Sequence, residues 1–178
     1  SMFEGFQSTN LDIRNNVHNL TYYVDASLVP MLELESPLWQ AENGMHLPLF
    51  IMSCYDDPTN IRMNQEQIRD AYVEYGYEHV FKQVATGGHG CAVLNWAELM
   101  PWFDAQVRVT NPLVATYTTN SLQYNSAYWL QLDKFITENE WGKLTASIDE
   151  ATQQAIEVET ENLAKFTLLL NDELIGDM

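Results

Sequence analysis

A chain of 178 residues with 46% hydrophobic residues, five Trp, nine Tyr and seven Phe can bury a substantial core, which excludes an intrinsically disordered polypeptide. Eight Lys and Arg against 25 Asp and Glu leave a formal charge of −17, which repels phosphate backbones and anionic lipid and argues against nucleic-acid and membrane binding. No apolar run approaches the roughly 20 residues of a membrane-spanning helix, and Ser1–Thr9 lacks the basic and apolar parts of a signal peptide, so the chain is expected to be soluble, with secreted and periplasmic locations left open.

The opening stretch, Phe3 to Trp39, has weak helical periodicity punctuated by Pro30 and Pro37 and reads as one or two helices with loops. Ser1 carries no mark of a natural start, so the opening reads as a processed end or a cut within a longer polypeptide. Leu47-Pro48-Leu49-Phe50-Ile51-Met52 is a short continuous apolar run, as in a parallel strand covered on both faces. It stops at Asp56-Asp57-Pro58-Thr59-Asn60, where Pro58 holds Asp57 extended and a loop is expected. Asn64 then has the spacing to cap a helix, with Gln67 in capping-box position and Ile68, Ala71, Tyr72 and Tyr75 on one face. Gly76 stands where that helix should end.

Val80 to Ala85 predicts the next strand, followed by the glycine-rich loop Gly87-Gly88-His89-Gly90. Trp96, Leu99, Met100, Phe103 and Val107 form a stripe at helical spacing, expected to pack back on the sheet, with Pro101 as a kink or interruption. Beyond Asn111-Pro112 the texture changes to short runs: Leu113–Thr118, Ala127–Asp133, Lys143–Asp149, Ala155–Glu159 and Phe166–Leu170, with turn residues between or beside them. Strands at roughly 10-residue spacing without intervening helices predict a small antiparallel β-sandwich. The expected organisation is α/β followed by all-β, a first domain over residues 1–110 and a second over 111–178, with the boundary between Arg108 and Pro112.

The chemistry is concentrated in two strand-end loops. In an open parallel sheet, catalytic side chains sit at the carboxyl ends of strands, and a right-handed crossover makes the two strands neighbours or near neighbours. Asp57 and His89, roughly 30 residues apart, are spaced as in one strand–helix–strand unit. The carboxylate is then placed to accept an imidazole N–H, fixing the tautomer and stabilising the imidazolium. The flanking glycines allow a sharp turn and leave the imidazole unobstructed, so a nucleophilic serine is expected opposite.

The residues Glu35-Ser36-Pro37-Leu38, Ala41-Glu42-Asn43, Leu47-Pro48-Leu49-Phe50-Ile51, Asp57-Pro58 and Gly87-Gly88-His89-Gly90 resemble the C-terminal part of prolyl-oligopeptidase-like and esterase-like α/β-hydrolases. The resemblance covers Ser36 to Gly90 and extends loosely from Trp96 to Asn111. It implies a triad acid at Asp57, a triad histidine at His89 and a small-molecule ester or peptide as substrate. Tyr124-Asn125-Ser126-Ala127-Tyr128-Trp129-Leu130 and Ile156–Leu170 resemble, more weakly, a β-domain appended to some bacterial hydrolases of this type. Two departures stand out. Ser53-Cys54 replaces the usual His-Gly before the acid loop, and no G-x-S-x-G nucleophile elbow occurs in the chain.

Each residue also has a plainer reading. Asp57 would otherwise be a turn carboxylate, with Asp56 the spare triad acid, and His89 a solvent-facing loop residue. His18, His46 and His79 read as surface or loop positions. Cys54 and Cys91 are either free thiols or one bridge, and neither falls where a Cys-His nucleophile would stand. Glu157, Glu159 and Glu161 read as a solvated strand face rather than a calcium site, and Tyr124, Tyr128 and Trp129 as core rather than a sugar platform.

The leading expectation is therefore a C-terminal portion of a serine hydrolase that requires no cofactor or metal and lacks its own nucleophile. The missing N-terminal half or a second chain would supply the serine, and a second copy of this chain is another candidate to cover the open sheet edge. The competing expectation is a non-catalytic protein presenting a surface to a carbohydrate or protein. A third, an acidic imitator of DNA, is disfavoured because the carboxylates are scattered among aromatic residues.

Overall fold

The computed structural model describes residues 28–89 and 95–175. Most of the predicted opening helices, together with Gly90 and Cys91 and hence the question of a Cys54–Cys91 bridge, lie outside the described residues. The chain divides into two compact units, Ser1–Val107 and Arg108–Met178. Among the described residues there are eight strands and three α-helices, a largely β fold with few helices.

In the first unit, Val29–Leu34 forms a short helix, α1, with Pro30 in its first turn, and a 3-10 turn follows at Ala41–Gly44. Strand β1, Leu49–Cys54, pairs in parallel with β2, His79–Val84, in a register running from Leu49 opposite His79 to Cys54 opposite Val84. The helix between them, α2, spans Thr59–Tyr75. Ala71 and Tyr72 on α2 bury against Leu38 and Ala41, with Ile68, Leu49 and Tyr77 packed around them. Two phenols fasten this core: Tyr72 donates to the Leu47 carbonyl at 3.1 Å and Tyr77 to the Glu42 carbonyl at 2.9 Å. Burial pushes both hydroxyls up to about 12, so they remain donors at any ordinary pH.

Gly76 ends α2 in the left-handed region at φ 71°, and its N–H bonds back into the last turn, the conformation that favours glycine there. The start differs from the capping-box expectation. Pro58, not Asn64, occupies the cap position, because its fixed φ, here −47°, already suits helix entry and the turn propagates from there. Asn64 consequently lies inside the helix, buried, with no hydrogen-bond partner for its Nδ2 among the described residues.

Helix α3, Trp96–Asp104, runs through Pro101 without interruption. The predicted apolar stripe does not pack as a unit. Leu99 is buried, but Trp96 is 61% and Val107 85% exposed, with Met100 and Phe103 also exposed. Trp102, outside the predicted stripe, makes the inward contact, edge-on to Phe50 at 5.3 Å. A salt bridge between Lys82 of β2 and Glu98, one turn before Trp102, at 2.6 Å fixes the same face of the helix, so the inward face is rotated from the one periodicity selected.

The second unit is built from two three-stranded antiparallel sheets. One orders β3 (Val114–Thr119), β6 (Gly142–Ile148) and β7 (Ile156–Glu161); the other orders β4 (Ser126–Ala127), β5 (Leu130–Phe135) and β8 (Leu163–Leu168). Alternation on β6 sends Leu144, Ala146 and Ile148 inward, where they meet Leu130, Leu132 and Phe135 of the other sheet together with Ala115, Trp129 and Leu174. Trp129 is fully buried and donates its indole N–H to the Pro112 carbonyl at 2.7 Å, so this aromatic belongs to the core, whereas Tyr124 and Tyr128 are exposed. Glu157, Glu159 and Glu161 are exposed on β7, as are Val158 and Thr160 between them.

The chain leaves one sheet and joins the other at a single residue, Asn162, which takes φ 50° between β7 and β8. Its side chain accepts from the Thr137 N–H at 2.8 Å and donates to the carbonyls of Thr137, Glu140 and Trp141 at 2.9, 3.2 and 3.3 Å. The same amide therefore organises the loop from β5 to β6 and the corner where the strand changes sheets.

Candidate active site

The loops that follow β1 and β2 emerge from the same edge because the two strands are parallel and in register. After Cys54 the ladder continues for one more bond, Tyr55 N–H to the Val84 carbonyl at 3.0 Å, and the chain then turns, with the Asp57 N–H donating to the Cys54 carbonyl at 3.3 Å. Arg62, on the first turns of α2, holds that turn from below: its guanidinium donates to the Tyr55 carbonyl at 3.0 Å and lies 6.0 Å from the centre of the Tyr55 ring. Beneath the turn, Gln83 of β2 bridges the two strands, donating to Ser53 Oγ at 3.4 Å and to Glu66 Oε1 of α2 at 3.0 Å. Ser53 occupies one of the two positions at which the chain departs from the hydrolase pattern.

Asp57 and His89 meet on this edge. Oδ1 of Asp57 lies 3.1 Å from Nδ1 of His89, the Asp57 side chain being 6% and the His89 side chain 51% exposed. A carboxylate is an acceptor, so the imidazole carries its proton on Nδ1 in this contact and Nε2 is the basic nitrogen of the neutral ring. A buried acid thus orients a half-exposed base.

The adjacent Asp56 does something else. Its two oxygens accept the backbone N–H groups of Gly87, at 3.2 Å, and Gly88, at 2.9 Å. The N–H of Gly88 and then that of Gly87 hold its carboxyl below the usual carboxylate value. Gly88 sits at φ 59°, in the left-handed region, with open space where a side chain would begin, so the glycine there answers to backbone angle rather than crowding. Asp56 was a spare acid in the sequence; its two acceptor contacts are with main chain and could not be seen there, although a second carboxylate next to the first was a visible signal.

The remaining histidines among the described residues stand apart from this pair. His79 begins β2, half-buried, with Nδ1 2.9 Å from the Tyr77 carbonyl, rather than lying in a loop. A half-open cavity of about 400 Å³ borders the other half of β1, lined by Leu49 and Ile51 together with Ile68, Tyr72 and Gln65. Neither Asp57 nor His89 lines it. Among the described residues no group of three or more His, Cys, Asp and Glu side chains is placed to hold a metal ion, and no helix is long and apolar enough to cross a membrane. Comparison with protein-family models, with curated proteins and with solved structures finds no match for this chain.

Proposed function

We propose that this chain carries the acid and the histidine of a serine-hydrolase site, on the closing portion of an α/β-hydrolase sheet, and acts on an ester or peptide bond with a serine supplied from outside these 178 residues. The observation that supports it is the 3.1 Å approach of Asp57 Oδ1 to His89 Nδ1 beyond the carboxyl ends of two paired parallel strands. Parallel strands joined by a helical crossover are characteristic of larger sheets with both faces covered, and β1 and β2 pair only with each other among the described residues.

In the proposed reaction, His89 Nε2 takes the proton from the serine hydroxyl as its oxygen attacks the carbonyl carbon, and Asp57 stabilises the imidazolium that forms. The same proton then passes to the departing alkoxide or amine as the carbon–oxygen or carbon–nitrogen bond breaks. Water repeats the sequence on the acyl-enzyme, releasing the acid and restoring the serine.

A fluorophosphonate probe tests this, because it labels only a serine activated by a neighbouring base. The chain alone should take no label. A polypeptide extended upstream to include a strand–turn–helix serine should be labelled, with labelling lost in His89→Ala and turnover reduced on the order of 10⁴-fold in Asp57→Asn. Activity indifferent to both substitutions, or labelling of the chain alone, would overturn the proposal.

A further inference from the structure

We propose that Asp56 is the positioning residue of this site: its carboxylate staples the Gly87-Gly88 backbone to the turn after β1 and thereby delivers the His89 imidazole to Asp57. The inference deepens the hydrolase reading and depends on it for the importance of the Asp57–His89 contact, but its geometry stands separately. Two successive N–H groups, those of Gly87 and Gly88, converge on the two oxygens of one carboxylate. Convergence of consecutive amides on one anion needs a backbone that turns them to the same side, and the left-handed Gly88 supplies that turn. The cradle that such loops offer to a bound anion is filled here by the protein's own side chain.

The need for a staple follows from what else holds the loop. Strand β2 ends at Val84, five residues before His89, and the imidazole is half exposed, so core packing does little to hold the ring. Fixing the backbone of each loop residue costs roughly 1–2 kcal/mol of conformational entropy. Without an anchor, the glycine pair would sample many conformations in which Nδ1 is out of reach of Asp57. Two charge-assisted bonds placed immediately before His89 remove that freedom where it matters most. The division of labour between neighbouring carboxylates is then complete: Asp56 binds the main chain of the histidine loop and Asp57 binds the histidine.

The tautomer of the His89 ring reports on this directly and requires no catalysis. In the isotope-labelled chain near pH 8, where an ordinary imidazole is neutral, long-range proton–nitrogen spectra should show His89 in the Nδ1–H form. Asp56→Ala should shift it to the Nε2–H form of an unconstrained ring, with the Gly88 amide proton moving upfield. Asp56→Asn, which keeps the shape and one acceptor oxygen, should give an intermediate Nδ1–H fraction, a graded response that general loosening of the fold would not produce. The amide signals of Leu144 and Val158, in the second unit, serve as an internal reference. An Nδ1–H fraction that stays constant across wild type, Asn and Ala overturns the role of Asp56 and leaves the hydrolase reading intact. A wild-type His89 in the Nε2–H form overturns both, since no pairing with Asp57 would then exist to be positioned.

Discussion

The Asn162 corner offers a stability test whose size follows from the structure. The side-chain amide has one acceptor oxygen and two N–H donors, so of its four contacts with the 137–141 loop at most three count as full hydrogen bonds. At about 1 kcal/mol net for each, discounted because the loop is largely exposed, their removal should cost about 2 kcal/mol. Asn162→Gly removes these bonds while tolerating φ 50°, and should show that loss together with the smaller cost of glycine's greater freedom in the unfolded chain. Asn162→Ala adds the penalty of a Cβ in the left-handed region, about 1 kcal/mol more. Asn162→Asp retains the acceptor but sets a carboxylate against three carbonyls, and should be at least as damaging as Gly. Hydrogen exchange at the β6 and β7 amides reads the opening of this unit, and a thermal transition should fall by roughly 8–16 °C in the Gly variant. If all three variants lie within about 0.5 kcal/mol of wild type, the amide does not hold the corner and the reasoning fails.

Trp129→Phe should lower the stability of the second unit by about 1–3 kcal/mol, measured by urea denaturation, because the Pro112 carbonyl loses its buried donor; an unchanged midpoint would contradict the assignment. Gly44→Ala should destabilise the first unit by roughly 1–3 kcal/mol, since a methyl there overlaps the Tyr72 hydroxyl and displaces it from Leu47, and a second substitution, Tyr72→Phe, should relieve part of that loss. Acid should act on the second unit through Asp133 and Asp149. Hydrogen bonds from Thr167, and then Gln131, lower the first, and those from Thr152 lower the second, below the ordinary 3.8. A folded-state value beneath the unfolded one means that their contribution is present above about pH 4 and disappears as pH falls further. Calorimetric transitions from pH 7 to pH 2 should therefore steepen below pH 4 less in the Asp133→Asn/Asp149→Asn double variant than in wild type, and identical slopes would refute the account.

Local patterns carried a large part of the architecture. The apolar run before Asp56, the glycine at position 76 and the short runs after Pro112 are contiguous in sequence, and their backbone preferences act within a turn or a strand. The strands observed at Val114–Thr119, Gly142–Ile148 and Ile156–Glu161 start and stop close to the turn residues that announced them. Asp57 and His89 were visible because each follows a strand and lies beside Pro or Gly, and the parallel pairing of those strands brings them to 3.1 Å.

The sequence by itself thus determined roughly where most strands lie and which two side chains stand at the rim of the parallel pair, although the run Ala127–Asp133 is divided between β4 and β5 and the last strand is Leu163–Leu168 rather than Phe166–Leu170. Only the tertiary structure decided which face of α3 turns inward, that Asn64 lies within a helix entered at Pro58, that Asp56 grips the main chain of Gly87 and Gly88, and that Asn162 carries the strand from one sheet to the other. The physical reason is common to three of the four. Each is settled by partners distant in sequence: Phe50 for Trp102, the Gly87-Gly88 amides for Asp56 and the 137–141 carbonyls for Asn162, whereas α2 is entered early because Pro58 itself presets the backbone for helix. A periodic pattern states that a residue has an inward or a polar preference, and only the folded chain brings the atom that satisfies it within 3 Å or so.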